Sequence, residues 1–214
     1  LLEASTIERF SEHIEILLYS IVKNPNVSLS NLSIIKKSEK ELLLKEWNNT
    51  QKEYTPFKKI TDAFEQQASI NPGASAVVFN DDEISYAKLN NQSNKLANYL
   101  IDQGVKPDQL VAVCLHRSIE MIVVLYGILK AGGAYVPLDT EVPGVRLNFI
   151  LEDTDSKLLV TSSDLLTNYK NEAVNIIYID SVENSLERKL EKYSNKTPEV
   201  NTGADNLAYV IYTS

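Results

Sequence analysis

The sequence predicts an α/β protein with a layered, mostly parallel sheet and flanking helices, preceded by a helical N-terminal segment and a linker. Two observations lead to this prediction. From residue 58 onward, short apolar runs alternate with amphipathic stretches, which is the order of strand–helix–strand units. The run LVAVCL at 110–115 is continuously apolar, as is typical of a strand in a parallel sheet that helices cover on both faces.

The first segment, STIERFSEHIEILLYSIVKNP, has apolar residues at helical spacing, and Ser5 with Glu8 matches a capping box at its start. The next run, VSLSNLSII, alternates like a short strand. In SEKELLLKEWN, Ser38 and Glu41 repeat the capping-box pattern before a second helix. The polar, proline-containing run at 48–57 then predicts a domain boundary.

After this boundary, ITDAFEQQASI reads as a helix, and SAVVF and EISY read as a hairpin. We expect Ser85 to cap the next helix, and Gly104 to end it in a left-handed conformation. Ser118 and Glu120 begin a helix that is apolar on almost every side, so it should be deeply packed.

The pair Gly132-Gly133 ends that helix, AYVPL follows as a strand, and Pro143 starts a shorter helix. KLLVT, NIIYI and LAYVIY complete the predicted strands. The charged stretch at 183–205 is predicted to be a solvated loop with one helical turn.

Composition excludes several classes of function. The chain of 214 residues has 21 Lys and Arg against 29 Asp and Glu, which argues against a surface for nucleic acid or anionic membrane. Cys114 is the single cysteine, so a reduced, cytoplasmic setting is expected. His13 and His116 are distant in sequence, and they do not have the spacing of a zinc site. No apolar stretch is long enough for a membrane span, and the first residues lack the pattern of a signal peptide.

Catalytic motifs are scarce, because the sequence has no G-x-S-x-G elbow, complete Walker loop or G-x-G-x-x-G. Cys114 lies inside a strand pattern and should be an inert core residue. His116 follows that strand, where α/β sheets often bind ligands, although a structural role is more common for a lone histidine. The run YTS at 212–214 ends a strand pattern with hydroxyl residues, and if glycines followed, they would form a loop whose N–H groups point at phosphate. Three residues carry little information, so the alternative is a truncated strand with two polar residues.

The string LKAGGAYVPLD at 129–139 is the most distinctive of the sequence. Its two glycines allow a tight corner between a helix and a strand. We therefore expect a structural role, with a cleft-lining role as the second possibility.

Three strings together, ISYAKLN, LKAGGAYVPLD and LAYVIYTS, resemble in order and spacing the first three core motifs of the adenylation domains of nonribosomal peptide synthetases. The N-terminal helix is similar to the end of a condensation domain. The resemblance therefore divides the chain into a condensation-domain tail at 1–35, a linker at 36–57 and the N-terminal part of an adenylation domain at 58–214.

This resemblance implies a fold, an incomplete N-terminal subdomain of an adenylate-forming enzyme, and a reaction. ATP with Mg²⁺ would activate an amino acid as an aminoacyl adenylate, and the acyl group would pass to phosphopantetheine on a neighbouring carrier domain. Condensation and carrier domains of the same polypeptide would be the partners. The resemblance assigns Thr213 and Ser214 to phosphate binding, with no catalytic or metal-binding residue in this chain.

The family's third motif continues beyond Ser214 with glycines and a lysine, so the chain is expected to be part of a longer reading frame and inactive alone. The absence of an initiator methionine fits this expectation. Exposed apolar faces and poor solubility are expected to follow from it. Two alternatives remain: an acyl- or aryl-CoA ligase of the same superfamily, and a non-catalytic interaction module that keeps the fold.

Overall fold

The computed structural model describes residues 3–52, 59–166, 171–180 and 186–213. The chain divides into two compact units, Leu1–Thr55 and Pro56–Ser214. In the first unit, helix α1 spans Ala4–Lys23, a 3-10 turn spans Leu29–Asn31, and α2 spans Lys37–Glu41 and continues as a π-helical turn over Leu42–Glu46.

Both predicted N-terminal helices form, but neither predicted capping box does. The N-cap residues are Glu3 and Lys36, without a side-chain hydrogen bond, so Ser5 and Ser38 lie inside their helices. A hydrogen bond of 2.8 Å between His13 Nε2 and a carboxylate oxygen of Glu39 joins α1 to α2.

The strand predicted from VSLSNLSII is wrong, because the described structure has a 3-10 turn there. Serine side chains explain the difference. The hydroxyls of Ser28 and Ser30 lie 3.0 Å apart, and the Ser33 hydroxyl donates to the Ile35 carbonyl at 3.1 Å. Such local hydrogen bonds compete with the ladder of a strand.

The second unit alternates helices with strands, as predicted. Its helices are α3 (Asp62–Ile70), α4 (Tyr86–Asp102), α5 (Ile119–Lys130), α6 (Gly144–Asp153) and α7 (Leu186–Leu190). Its strands are β1 (Ser75–Phe79), β2 (Asp82–Ser85), β3 (Leu110–Cys114), β4 (Ala134–Pro137), β5 (Leu158–Thr161) and β6 (Asn175–Tyr178).

The predicted hairpin is the antiparallel pair β1–β2, and the other four strands form a parallel sheet in the order β4-β3-β5-β6. Two apolar clusters cover its faces. One packs α4 and α5 onto the sheet through residues such as Val111, Val113 and Val160. The other packs α6 through residues such as Ala112 and Leu159. Neighbouring strand residues thus point to opposite faces, which explains why the runs are continuously apolar.

The predicted ends of several elements are confirmed. The Ser85 and Ser118 hydroxyls accept hydrogen bonds from backbone N–H groups at the starts of α4 and α5. Gly104 ends α4 with φ of 94°. Pro143 precedes α6 as its N-cap.

The strand predicted from LAYVIY is reduced to a single parallel bridge between Tyr209 and Tyr135 of β4. The Tyr135 N–H donates to Ala208 O at 3.2 Å, and the Val210 N–H donates to Tyr135 O at 3.0 Å. The next donor on β4 in this pattern would be Pro137, which has no N–H, so the ladder cannot continue.

The stretch at 183–205, predicted to be a solvated loop, is attached to α4 in the part that the structure describes. Residues 181–185 lie outside the described residues. The Asn98 side chain donates to the carbonyls of Ser194 and Lys196, both at 3.0 Å. Leu190 is buried, and the Tyr193 ring packs edge-on against Tyr99. Charge alone did not reveal these contacts, which depend on amide side chains of a distant helix.

None of the described helices has the length and apolar character needed to cross a lipid bilayer.

Candidate functional site

A cleft of about 620 Å³ opens at the carboxyl end of β4, where the described chain also ends. Strand β4, the turn before α6, one face of α6 and the final segment surround it. Its lining residues are Pro137, Leu138, Asp139, Glu141, Val142, Pro143, Arg146, Ile150, Tyr212 and Thr213. The carboxyl end of parallel strands is where α/β sheets bind ligands, so the position is chemically suitable.

Thr213, one of the two residues predicted to bind phosphate, lies in this cleft with its side chain exposed. The other, Ser214, lies outside the described residues. Thr213 brings one hydroxyl group, which can donate to a phosphate oxygen.

The segment that carries Thr213 is attached at its beginning and in its middle. Asp108 accepts the Leu207 N–H at 2.7 Å and the Asn206 side-chain amide at 2.8 Å. Two residues later the backbone pairs with Tyr135 of β4. The segment is therefore extended although it is not a full strand. Alternate residues along it pack inward, and the residues between them face outward.

Tyr212, directly before Thr213, is held by α6. Its hydroxyl donates to Asp153 Oδ2, and this hydrogen bond to a carboxylate raises the pKa of the Tyr212 phenol. The guanidinium of Arg146 lies 5.7 Å from the centre of the Tyr212 ring and 5.3 Å from that of Phe149. Neither Tyr212 nor Arg146 was singled out from sequence, although Arg146 falls in the first turn of the helix that Pro143 begins.

Charges of both signs line the cleft. Asp139 Oδ1 accepts the Glu141 N–H at 2.8 Å, an Asx-type turn between β4 and α6. Arg146 is the one basic side chain of the described lining. Within the described ranges, Arg146 forms no ion pair.

His116 lies elsewhere along the same edge of the sheet. Its Nε2 atom is 3.2 Å from Asp164 Oδ2, in the turn after β5, and both side chains are 61% exposed. Cys114 is buried, its Sγ lies 3.6 Å from the Asp139 carbonyl oxygen, and burial raises the pKa of its thiol. The burial confirms the prediction of a core cysteine, and its inertness stays a prediction, because a buried thiol of raised pKa is a poor nucleophile.

The two glycines of LKAGGAYVPLD make the predicted corner. Gly132 has φ of 87°, and a Cβ there would come within 2.7 Å of Val200 Cγ1. A Cβ on Gly133 would meet the Gln109 carbonyl oxygen at 3.0 Å. Close packing and left-handed geometry therefore both require glycine, and the structural interpretation of this motif is confirmed.

Lys130 of the same motif is the residue that sequence reasoning missed. Its ammonium is fully buried and donates to Asn90 Oδ1 at 2.5 Å and to Asn94 Oδ1 at 2.6 Å. Glu65 Oε1 lies 3.2 Å away, and the Phe64 ring centre lies 5.4 Å away. Burial lowers the pKa of Lys130, and Glu65 opposes that shift. The cluster joins α3, α4 and α5, so its role is structural.

A second cavity, of about 310 Å³, lies beside α4, α5 and α7. Its floor is apolar, with Val123, Val124 and Leu190, and its rim includes Lys95 and Glu120. Thr213 does not line this cavity. The described part of the chain also contains no group of three His, Cys, Asp or Glu side chains that could hold a metal ion.

Comparison with known proteins gives a consistent result. The family described as AMP-binding enzyme matches residues 64–214. One of the linear gramicidin synthase proteins of Brevibacillus parabrevis is 41% identical over 212 residues, which is 99% of this chain and 4% of that protein. Bacitracin synthase 3 of Bacillus licheniformis is 38% identical over 202 residues, which is 94% of this chain and 3% of that protein. The chain therefore spans only a small part of these curated relatives.

Two solved structures show the same fold. The AMPPNP-bound form of the nonribosomal peptide synthetase FmoA3 aligns with a TM-score of 0.76 and 25% identity, over 100% of this chain and 22% of that one. A fatty acyl CoA synthetase of Mycobacterium tuberculosis aligns with a TM-score of 0.61 and 26% identity, over 71% of this chain and 32% of that one.

Proposed function

The chain belongs to the AMP-binding enzyme family, and from that premise we propose that it is part of a nonribosomal peptide synthetase module. In the complete adenylation domain, an oxygen of the amino-acid carboxylate would attack the α-phosphorus of ATP. The bond from that phosphorus to the bridging oxygen would break, giving an aminoacyl adenylate and pyrophosphate. The acyl group would then pass to the thiol of phosphopantetheine on a carrier domain.

The single observation that carries this proposal is the position of Thr213 in the cleft at the carboxyl end of β4. Its hydroxyl, together with Ser214, would donate to phosphate oxygens of ATP. Such contacts position the reacting groups and neutralise charge that develops in the transition state. Similarity to a gramicidin synthase and to a synthetase solved with AMPPNP supports ATP as the nucleotide.

Mg²⁺ belongs to the proposal only for the complete domain. The described residues contain no group of three His, Cys, Asp or Glu side chains that could hold a metal ion, and we assign no step to Mg²⁺ in this chain. The division of the chain at 1–35, 36–57 and 58–214 into condensation tail, linker and adenylation part is likewise proposed.

Amino-acid-dependent exchange of labelled pyrophosphate into ATP tests the proposal. The complete reading frame should catalyse exchange with one or a few amino acids, and the 214-residue chain should not. Replacing Thr213 with alanine in the complete protein should lower kcat/KM for ATP by about tenfold, since one hydrogen bond to a charged group contributes about 1.5 kcal/mol. Exchange by the 214-residue chain would contradict its expected inactivity.

One alternative has an observation in its favour. The likeness to a fatty acyl CoA synthetase covers 71% of this chain, so an acyl- or aryl-CoA ligase shares the expected fold and adenylation step. A panel of carboxylic acids in the same exchange assay separates the two, because a CoA ligase would respond to fatty or aryl acids and not to amino acids. A complete protein that exchanges with neither would favour the non-catalytic interaction module.

A further inference from the structure

We infer that Arg146 is a positioning residue for the ATP site: by stacking on Tyr212, it fixes the end of the segment that presents Thr213 to phosphate. The inference rests on the proposed function for its ligand, since Thr213 is assigned to phosphate there. The geometry of Arg146, Tyr212 and α6 stands independently of that assignment.

Thr213 depends on side-chain contacts because the backbone attachment ends before it. The Val210 N–H bond to Tyr135 O, at 3.0 Å, is the last backbone hydrogen bond of this segment in the described chain. Pro137 supplies no N–H to extend the pairing with β4. Between Val210 and the end of the described residues, Tyr212 is therefore the point of attachment.

Two residues of α6 hold Tyr212 at two different parts of its side chain. Asp153, at the last position of the helix, accepts the phenol O–H. Arg146, in the first turn, places its guanidinium over the ring. Together they span the side chain from ring to hydroxyl, so the ring is restrained against both rotation and lifting away from the helix.

The Arg146 guanidinium lies over two aromatic rings at cation–π distance. The same cation lies 5.3 Å from the Phe149 ring centre, one turn further along the helix. A planar guanidinium stacks on aromatic faces, whereas a lysine ammonium is a compact, strongly hydrated charge. The Arg146 guanidinium therefore makes a cation–π contact with the Tyr212 ring and another with the Phe149 ring.

Kinetics of the complete adenylation domain test the inference. Arg146→Met should raise KM for ATP about two- to fivefold, the ratio expected for one cation–π contact at an exposed site. KM for the amino acid should not change, because Thr213 is assigned to phosphate. Tyr212→Leu removes the hydrogen bond to Asp153 as well, so it should raise KM for ATP at least as much, and the double variant should be no worse than Tyr212→Leu alone.

Arg146→Lys and a surface lysine serve as matched controls. The lysine variant keeps the charge and loses the planar stack, so it should recover only part of the ATP affinity. Lys157→Met removes a cation whose ion pair with Asp155 is more than half exposed, and it should leave both KM values unchanged. If Arg146 instead bound phosphate itself, Tyr212→Leu would keep the wild-type KM for ATP while Arg146→Met raised it, and the positioning role would be overturned.

A structural measurement on the complete protein, which requires no catalysis, separates this inference from the proposed function. Hydrogen exchange of the Val210 amide should accelerate about two- to fivefold in Arg146→Met, because that amide opens when Tyr212 leaves α6. It should stay at the wild-type rate in Lys157→Met. If the hydrogen-exchange rate of the Val210 amide is unchanged in Arg146→Met, the positioning role is refuted. This holds even if the complete protein does not exchange pyrophosphate into ATP and the proposed function has failed.

Discussion

Replacing Lys130 with methionine tests how much a buried ammonium stabilises the contact between α3, α4 and α5. The ammonium is fully buried, and two amide oxygens and one carboxylate surround it. Methionine has a similar length and no charge, so the variant fills the space and removes the donors. The amide oxygens of Asn90 and Asn94 then lose their partner in a region where water has little access.

The expected loss follows from these exposures. A buried acceptor without a partner costs about 1–3 kcal/mol, and Asn94, at 2% exposure, bears this cost in full. Asn90 is half-buried and Glu65 is 26% exposed on its side chain, so water can solvate both in part. The variant also removes the cost of burying the ammonium, which offsets part of this loss of stability. We therefore expect Lys130→Met to lower the free energy of unfolding by about 2–4 kcal/mol.

Urea denaturation followed by circular dichroism measures this change. Combining Lys130→Met with Asn90→Leu should recover part of the loss, because the Asn90 amide oxygen is then removed together with its donor. A Lys130→Met protein within about 0.5 kcal/mol of wild type would refute the reasoning, since that is the range of ordinary surface substitutions.

Three further predictions follow from the same contacts. Burial lowers the pKa of Lys130 in the folded state, so the unfolded chain binds more protons between that lowered pKa and 10.5. The free energy of unfolding should therefore rise with pH in this window. Denaturation measured at several pH values should show a smaller rise in Lys130→Met. Gly132→Ala should lower the free energy of unfolding by about 1–3 kcal/mol, because Gly132 has a positive φ and an added Cβ would collide with Val200. Gly73→Ala should be nearly neutral in the same denaturation assay, because the space around Gly73 is open. Cys114 should react with a thiol reagent only after unfolding, because it is buried with a raised pKa; labelling of the native chain at the unfolded rate would contradict this.

The order of helices and strands in the second unit could be predicted because local chemistry determines each end. Ser85 and Ser118 cap helices through their own hydroxyls, and Gly104 ends a helix through its own backbone freedom. Neither effect needs a distant partner. The continuous apolar run at 110–115 likewise contained enough information to predict a strand covered on both faces.

The errors occurred where a distant residue, or a competing local bond, decided the outcome. LAYVIY has the composition of a strand, yet its pairing stops because its neighbour on β4 is Pro137, far away in sequence. The charged loop is attached to α4 through Asn94 and Asn98, about 100 residues before it. In the first unit, serine hydroxyls replaced a predicted strand with a 3-10 turn.

By itself, the sequence determined that the protein is α/β and that its core sheet is parallel, whereas Thr213 became a candidate for contact with phosphate through the resemblance to a known family. Periodicity, capping residues and glycines are local properties, so one chain read in order is enough to see them. Only the tertiary structure placed the Lys130 ammonium between three helices and the Arg146 guanidinium over the Tyr212 ring. Burial and stacking are relations between elements distant in sequence, and they exist only once the sheet and its helices have assembled.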